Sequence, residues 1–121
     1  MKRILLVDDD EAVRRVMGEV LAQAGYAVEV AGDGATALAL FRQKPVDLVI
    51  TDIIMPGMEG LETIVEFLKQ RPKLKIIAIS GGGRIAANDY LPIAGALGAS
   101  LTLAKPFSVE ELEAAVRTLL G

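Results

Sequence analysis

Three aspartates in succession, Asp8, Asp9 and Asp10, follow directly on the aliphatic run Ile4–Val7. Two like charges 4 Å apart repel by about 4 kcal/mol at the effective dielectric of a protein surface. A chain that places three carboxylates at the rim of its own core needs positive charge to hold them there. Further along, "DLVITD" ends at Asp52, "IIAIS" ends at Ser80 and "LTLAK" ends at Lys105. The chain contains no histidine and no cysteine, so any metal here would have to be held by oxygen. Carboxylates without nitrogen or sulfur ligands favour a hard cation, Mg²⁺ with Mn²⁺ as a substitute. Asp8, Asp9, Asp52 and Lys105 carry a formal charge of −2, which would repel an incoming phosphoryl dianion. A divalent cation brings that charge near zero. Lys105 and the Ser80 hydroxyl would then hold phosphoryl oxygens from the other side, and a carboxylate would serve as nucleophile, giving an aspartyl phosphate.

For these residues to meet, the elements that carry them must converge. Five short apolar runs, Ile4–Val7, Tyr26–Val30, Leu48–Thr51, Ile76–Ile79 and Leu101–Ala104, alternate with longer amphipathic stretches. Most of the runs are continuous rather than alternating, as in parallel strands covered on both faces. Ala12, Val13, Val16, Met17, Val20, Leu21 and Ala24 recur at helical spacing, with Gly25 as the stop. Asp33 is placed to cap a second helix carrying Leu38 and Phe41, and Leu61, Ile64, Val65 and Leu68 form a third stripe ending before Pro72. A fourth helix is expected from near Asp89, after the Gly81–Gly83 run, to just before Gly98. Ser108 and Glu111 form a capping box for the last helix. There Phe107 staples onto Leu112, and Val109, Leu112, Val116 and Leu119 face the sheet.

This (βα)₅ alternation predicts an α/β fold, an open doubly wound parallel five-stranded sheet with helices on both faces. Ligands of such sheets bind beyond the carboxyl ends of the strands where the strand order reverses. The second strand delivers no chemically useful group; with it at an edge, in the order 2-1-3-4-5, the ends of the other four converge. Singly, each polar residue has a plainer explanation. Asp10 reads as the N-cap of the first helix, Asp52 as a turn residue, Ser80 as a cap and Lys105 as a surface lysine. Independent explanations give no reason for four strands to end this way together.

Composition excludes other classes. At 121 residues the chain is the size of one domain, expected to span 1–121, and 52% hydrophobic residues argue against disorder. Thirteen basic and sixteen acidic residues give a net charge of −3, which argues against nucleic-acid binding. The basic cluster Lys69, Arg71, Lys73 and Lys75 straddles Pro72 and reads as a solvated helix-to-strand loop. The absence of histidine rules out a Ser–His–Asp triad within the chain. No segment resembles a signal peptide or membrane span, and the lack of cysteine fits a reducing cytoplasm, so a cytoplasmic protein without membrane partners is expected.

"ILLVDDDE", "DLVITDIIMPGMEG", "IIAISGG" and "GASLTLAKPF" resemble, in order and spacing, the four signature segments of response-regulator receiver domains, the phosphoacceptors of two-component signalling. Chemotaxis members of that family have the strand order 2-1-3-4-5, so the order inferred above is not independent of the resemblance. The resemblance implies that Asp52 is phosphorylated from a sensor histidine kinase or histidine phosphotransfer protein. It implies that Asp9 ligates Mg²⁺ directly and Asp8 largely through water, with the backbone carbonyl of Ile54 as a further ligand. Ser80 would bond the phosphoryl group, and Lys105 would pair with one of its oxygens. The Lys105–Pro106 peptide would match a bond often cis in the family.

Output would pass to a downstream protein target, or along a phosphorelay, through the fourth-helix, fifth-strand and fifth-helix face of an apparently stand-alone receiver. Such a protein is a signalling phosphoacceptor rather than an enzyme. One position departs from the pattern: Thr102 stands where the family usually has an aromatic residue three before the lysine, and Tyr90 is the available replacement. The Gly81–Gly83 run suggests a loop that orders on phosphorylation. The rival reading is a small aspartate-dependent phosphatase of the haloacid dehalogenase type, in which Asp8 is the nucleophile of an Asp8-x-Asp10 motif. A flavin module on the same fold is disfavoured, because the acids make a poor phosphate cradle without metal.

Overall fold

The computed structural model describes residues 1–53, 60–80 and 94–121. Five strands, β1 (Arg3–Val7), β2 (Ala27–Ala31), β3 (Leu48–Asp52), β4 (Lys75–Ser80) and β5 (Leu101–Ala104), form one sheet in the order β2-β1-β3-β4-β5. All four ladders are parallel. The connecting helices are α1 (Glu11–Gln23), α2 (Gly34–Gln43), α3 (Gly60–Gln70), α4 (helical at residues 94–97) and α5 (Val109–Leu120). The expected strands are each recovered to within a residue. The start expected for the fourth helix, with Tyr90 and Gly81–Gly83, lies outside the described residues, as does Ile54.

The apolar runs of β1, β3 and β4 are continuous because each of these strands feeds two cores. Successive side chains alternate between faces, so Leu5, Val7, Val49, Ile76 and Ala78 pack against Leu38 and Phe41 of α2 and Ile64 and Phe67 of α3. Ile4, Leu6, Leu48, Ile50, Ile77 and Ile79 face Met17 and Leu21 of α1 and Leu112 and Val116 of α5. Phe41 and Phe67 meet edge to face with centroids 5.2 Å apart, an arrangement the ring quadrupoles favour. The helical periodicity erred in detail. Phe67 is fully buried although it lay outside the expected stripe, whereas Val16 and Val109 are 56% and 46% exposed. Val109 follows the cap directly, one turn too early to reach the sheet.

The helix ends hold as read. Asp10 accepts from the Ala12 and Val13 amides, Asp33 from Thr36, and Ser108 and Glu111 bond reciprocally. Gly25 takes a φ of +101° after α1, a conformation open to glycine without the clash a Cβ brings.

Gly60 matters for space instead. A Cβ there would lie 2.2 Å from the Ile53 Cα and 2.5 Å from the Asp52 carbonyl oxygen. The start of α3 therefore bears directly on the backbone that carries Asp52. Gly60→Ala is expected to destabilise the fold by about 1–3 kcal/mol or more, because the atoms it meets are main chain and cannot swing aside. Chemical denaturation measures this, and a change within experimental error would contradict the packing described.

Candidate functional site: an acidic cup at the strand ends

Asp52 and Ser80 are the last residues of β3 and β4, Asp8 and Lys105 sit one step past β1 and β5, and backbone bonds pin these ends. The Asp8 amide bonds the Ala31 carbonyl at 3.1 Å, the Ile53 amide following Asp52 bonds Ile79 at 2.9 Å, and the Lys105 amide bonds Ser80 at 2.8 Å. The register fixes relative height: Asp52 pairs with Ile79, and Ser80 with Ala104. The carboxyl ends of β1, β3, β4 and β5 thus stand side by side while β2 stays at the edge.

Above them the side chains converge. Lys105 Nζ donates to Asp8 Oδ2 at 3.2 Å and to Asp52 Oδ2 at 3.0 Å, forming an ion pair with each. Asp8 and Asp52 are buried, and Asp9 stands exposed beside them. Asp8, Asp9 and Asp52 each offer a carboxylate oxygen within 4.8 Å of the others, close enough to share one cation. The Ser80 side chain is fully buried, and among the described residues its hydroxyl has no hydrogen-bond partner. A buried orphan hydroxyl costs about 1–3 kcal/mol, and a phosphoryl oxygen is the kind of acceptor it lacks. The all-oxygen donor set and this unmatched hydroxyl fit a magnesium-assisted phosphoryl site.

Burial raises the Asp8 carboxyl above its ordinary value of 3.8, and the Asp52 charge adds to the rise. The Asp10 amide on Asp8 Oδ1 (2.9 Å) and Lys105 only partly offset it. For Lys105, burial alone would lower the ammonium, but hydrogen bonds and charges from Asp52 and Asp8 prevail and hold it above 10.5. The ammonium therefore persists at physiological pH, and the cup keeps its counter-charge.

Asp10 takes no part in the cup: its carboxylate caps α1, as its sequence position suggested. The Asp8-x-Asp10 pair of the phosphatase reading therefore does not converge, and that alternative is unsupported. Thr102 and Ala104 are exposed on β5. Neither Arg14, whose Nη1 donates to the Asp8 carbonyl at 2.7 Å, nor Gly60 was marked by sequence reasoning. Gly60 had a signal, since glycine is a poor helix former yet opens α3; an arginine on an amphipathic helix has none.

An open α/β sheet with a carboxylate cup at its strand ends and a lysine bridging two of the acids defines the class of doubly wound phosphoacceptors. The response regulator receiver domain profile matches residues 4–117. The response regulator receiver protein CpdR of Brucella abortus is 37% identical over 120 residues, covering 99% of this chain and 98% of its own. The response regulator MprA of Mycobacterium sp. (strain KMS) is 39% identical over 127 residues. There the match covers 98% of this chain but 50% of the relative, so this chain spans about half its length. The crystal structure of chemotaxis protein CheY4 of Vibrio cholerae superposes with a TM-score of 0.87 at 31% identity, covering 98% of both chains. The chain belongs to the response regulator receiver domain family, the signalling class of two-component systems. No helix among the described residues is long and apolar enough to cross a membrane.

A carboxyl whose folded value is raised supplies stability that is complete below its unfolded value and is lost as pH rises through the folded one. Without divalent cations, ionising Asp8 should therefore weaken the fold from 3.8 upward. Asp8→Asn keeps an oxygen for the Asp10 amide and removes the charge, so its stability relative to wild type should improve between about pH 4 and pH 7. Urea midpoints in chelator across that range test this; parallel curves for the two proteins would contradict it.

Proposed function

We propose that the chain is one receiver unit over residues 1–121 in which Asp52 accepts a phosphoryl group, in a Mg²⁺-dependent reaction, from a partner's phosphohistidine. The observation that carries the reading is the meeting of Asp8, Asp9 and Asp52 with Lys105 at the ends of strands otherwise apolar. A carboxylate oxygen of Asp52 attacks the phosphorus in line. The new P–O bond forms as the P–N bond breaks, and its electron pair stays on the imidazole nitrogen. The donor imidazole must come from the partner, because this chain has no histidine. Lys105 turns from Asp52 toward a phosphoryl oxygen, and the Ser80 hydroxyl donates to another. Asp8 and Asp9 would hold the cation, the backbone carbonyl of Ile54 being the further ligand that the family pattern supplies. Bound Mg²⁺, or Mn²⁺ in its place, supplies positive charge that offsets the repulsion between phosphoryl oxygens and carboxylates. Attack of water on phosphorus later releases inorganic phosphate and restores Asp52, so the only turnover is the protein's own phosphorylation and dephosphorylation.

An apolar groove of about 530 Å³ between α1 and the start of the last loop opens next to the cup, lined by Val13, Val16, Met17, Pro106 and Phe107. Lys105 belongs both to that lining and to the cup, so a helix seated in the groove would bring its phosphohistidine to Asp52. We assign the groove to the sensor kinase or phosphotransfer partner. The output face toward a downstream protein is the surface of α4, β5 and α5, where Thr102 stands in place of the usual aromatic residue and readout must use other groups. The net charge of −3 supports protein rather than nucleic-acid partners, and the lack of cysteine fits a reducing, cytoplasmic site of action.

Acetyl phosphate with Mg²⁺ should label the wild-type protein stoichiometrically, whereas chelator or Asp52→Ala should abolish the label. Peptide mapping that finds it on Asp8 would overturn the assignment. Val16→Asp, at an exposed position, should slow transfer from a phosphohistidine protein by about tenfold, the equivalent of ~1.4 kcal/mol. It should leave labelling by acetyl phosphate unchanged. Equal slowing with both donors would remove the groove from donor docking.

A further inference from the structure

Arg14, on the second turn of α1, has no part in the reading above, yet it is half-buried and its guanidinium reaches back to the end of β1. Its Nη1 donates to the Asp8 carbonyl oxygen at 2.7 Å, a charge-assisted bond about twice as strong as a neutral one. That oxygen belongs to the rigid peptide plane joining Asp8 to Asp9, so the bond restrains the rotation that sets where Asp9 directs its carboxylate. The same corner is held from two other sides. The Asp8 amide bonds Ala31, and Asp8 Oδ1 accepts from the Asp10 amide. Because Arg14 binds the carbonyl and not the carboxylate, it orders the corner without occupying the oxygens that a cation would use.

The space for the guanidinium is itself built in. Gly32 follows the last residue of β2, and a Cβ there would stand 3.0 Å from Arg14 Nη1 and 3.6 Å from Cζ. Its φ is not in the left-handed region. What position 32 supplies is therefore the missing side chain, not backbone freedom.

We infer that Arg14 is a positioning residue for the divalent cation: it clamps the Asp8–Asp9 peptide so that both carboxylates face Asp52, and Gly32 is the space that admits its guanidinium. The inference rests on the reading that Asp8 and Asp9 hold the ion. Removing a group that orients a metal ligand typically lowers affinity about 10–100-fold.

The test is the dissociation constant of Mn²⁺ and Mg²⁺ for the full, unphosphorylated chain, by titration calorimetry and Mn²⁺ electron paramagnetic resonance, with far-UV circular dichroism confirming the fold. Arg14→Met should weaken binding by about tenfold or more, and Arg14→Lys should recover part of the loss. Gly32→Ala should weaken binding by a smaller factor in the wild type and have no effect beside Arg14→Met, the non-additivity of two residues acting through one contact. A merely structural role would give additive effects. Affinity of Arg14→Met within about twofold of wild type, or a Gly32→Ala effect equal in both backgrounds, overturns the inference. Should Arg14→Met fail to fold, Gly32→Ala against wild type decides, an unchanged constant counting against the clamp. Wild-type protein that binds neither ion overturns the cation site itself, and this inference with it.

Discussion

Lys105 Nζ stands 3.2 Å from Asp8 and 3.0 Å from Asp52, one ammonium between two buried carboxylates, with Asp9 at the rim. Asp8 resists ionisation because of its burial, and removing one partner from a buried pair leaves an uncompensated charge. The lysine thus holds together a cluster of three carboxylates in which two formal negative charges are still unmatched. On the proposed reading that residual charge would attract a divalent cation, and the cation would in turn make room for a phosphoryl group. Stability of the cup and its proposed receptivity to an ion would derive from the same groups and pull in opposite directions. A cup fully neutralised by protein side chains would be more stable and would bind no metal.

The rest of the fold holds this balance in place. Because β1, β3 and β4 are covered on both faces, their ends have little freedom, and amide bonds one residue past the ladders fix the backbones of Asp8, Ile53 and Lys105. Gly60 brings the start of α3 against the Asp52 carbonyl, and Arg14 reaches the Asp8 carbonyl from α1. Contacts to main chain set the geometry, while the side chains are left to the chemistry. A site proposed to exchange a lysine contact for a phosphoryl contact needs rigid mounts and movable heads. The backbone bonds supply the first, and the Lys105 side chain, 24% exposed, the second.

On this platform the apolar groove beside Lys105 and the β5 edge face different directions. The groove combines Val16, more than half exposed, with Phe107, an apolar surface next to a charged cup. β5 instead exposes Thr102 and Ala104, and Thr102 stands where the family usually presents an aromatic ring. The groove proposed for the donor thus lies beside the cup, whereas β5, on the face proposed for output, differs from the common receiver pattern at Thr102. CpdR matches over nearly its whole length, and MprA over half of its own.

Much of this was legible in the residue order. Continuous apolar runs ending in acids, a hydroxyl and an amine implied covered parallel strands with a common functional edge, because burial on two faces erases the period-two pattern. Caps at Asp10, Asp33 and Ser108 were legible because capping is local, a matter of three or four residues. The haloacid dehalogenase alternative could not be dismissed from spacing alone. It took the direction of the Asp10 carboxylate, which turns to the amides of α1, to separate it from Asp8.

Other features depended on atoms far apart in sequence. The shared bond of Lys105 to Asp8 and Asp52 joins residues 97 and 53 positions apart. The burial of Phe67 against Phe41, the exposure of Val16 and Val109, and the tight approach of Gly60 to Ile53 likewise arise only when helices settle on a twisted sheet. Local chemistry determined which residues end the strands and cap the helices. Which carboxylates share a counter-ion, and which glycines stand for missing space, was decided by packing, since those are distances between elements that no local rule specifies.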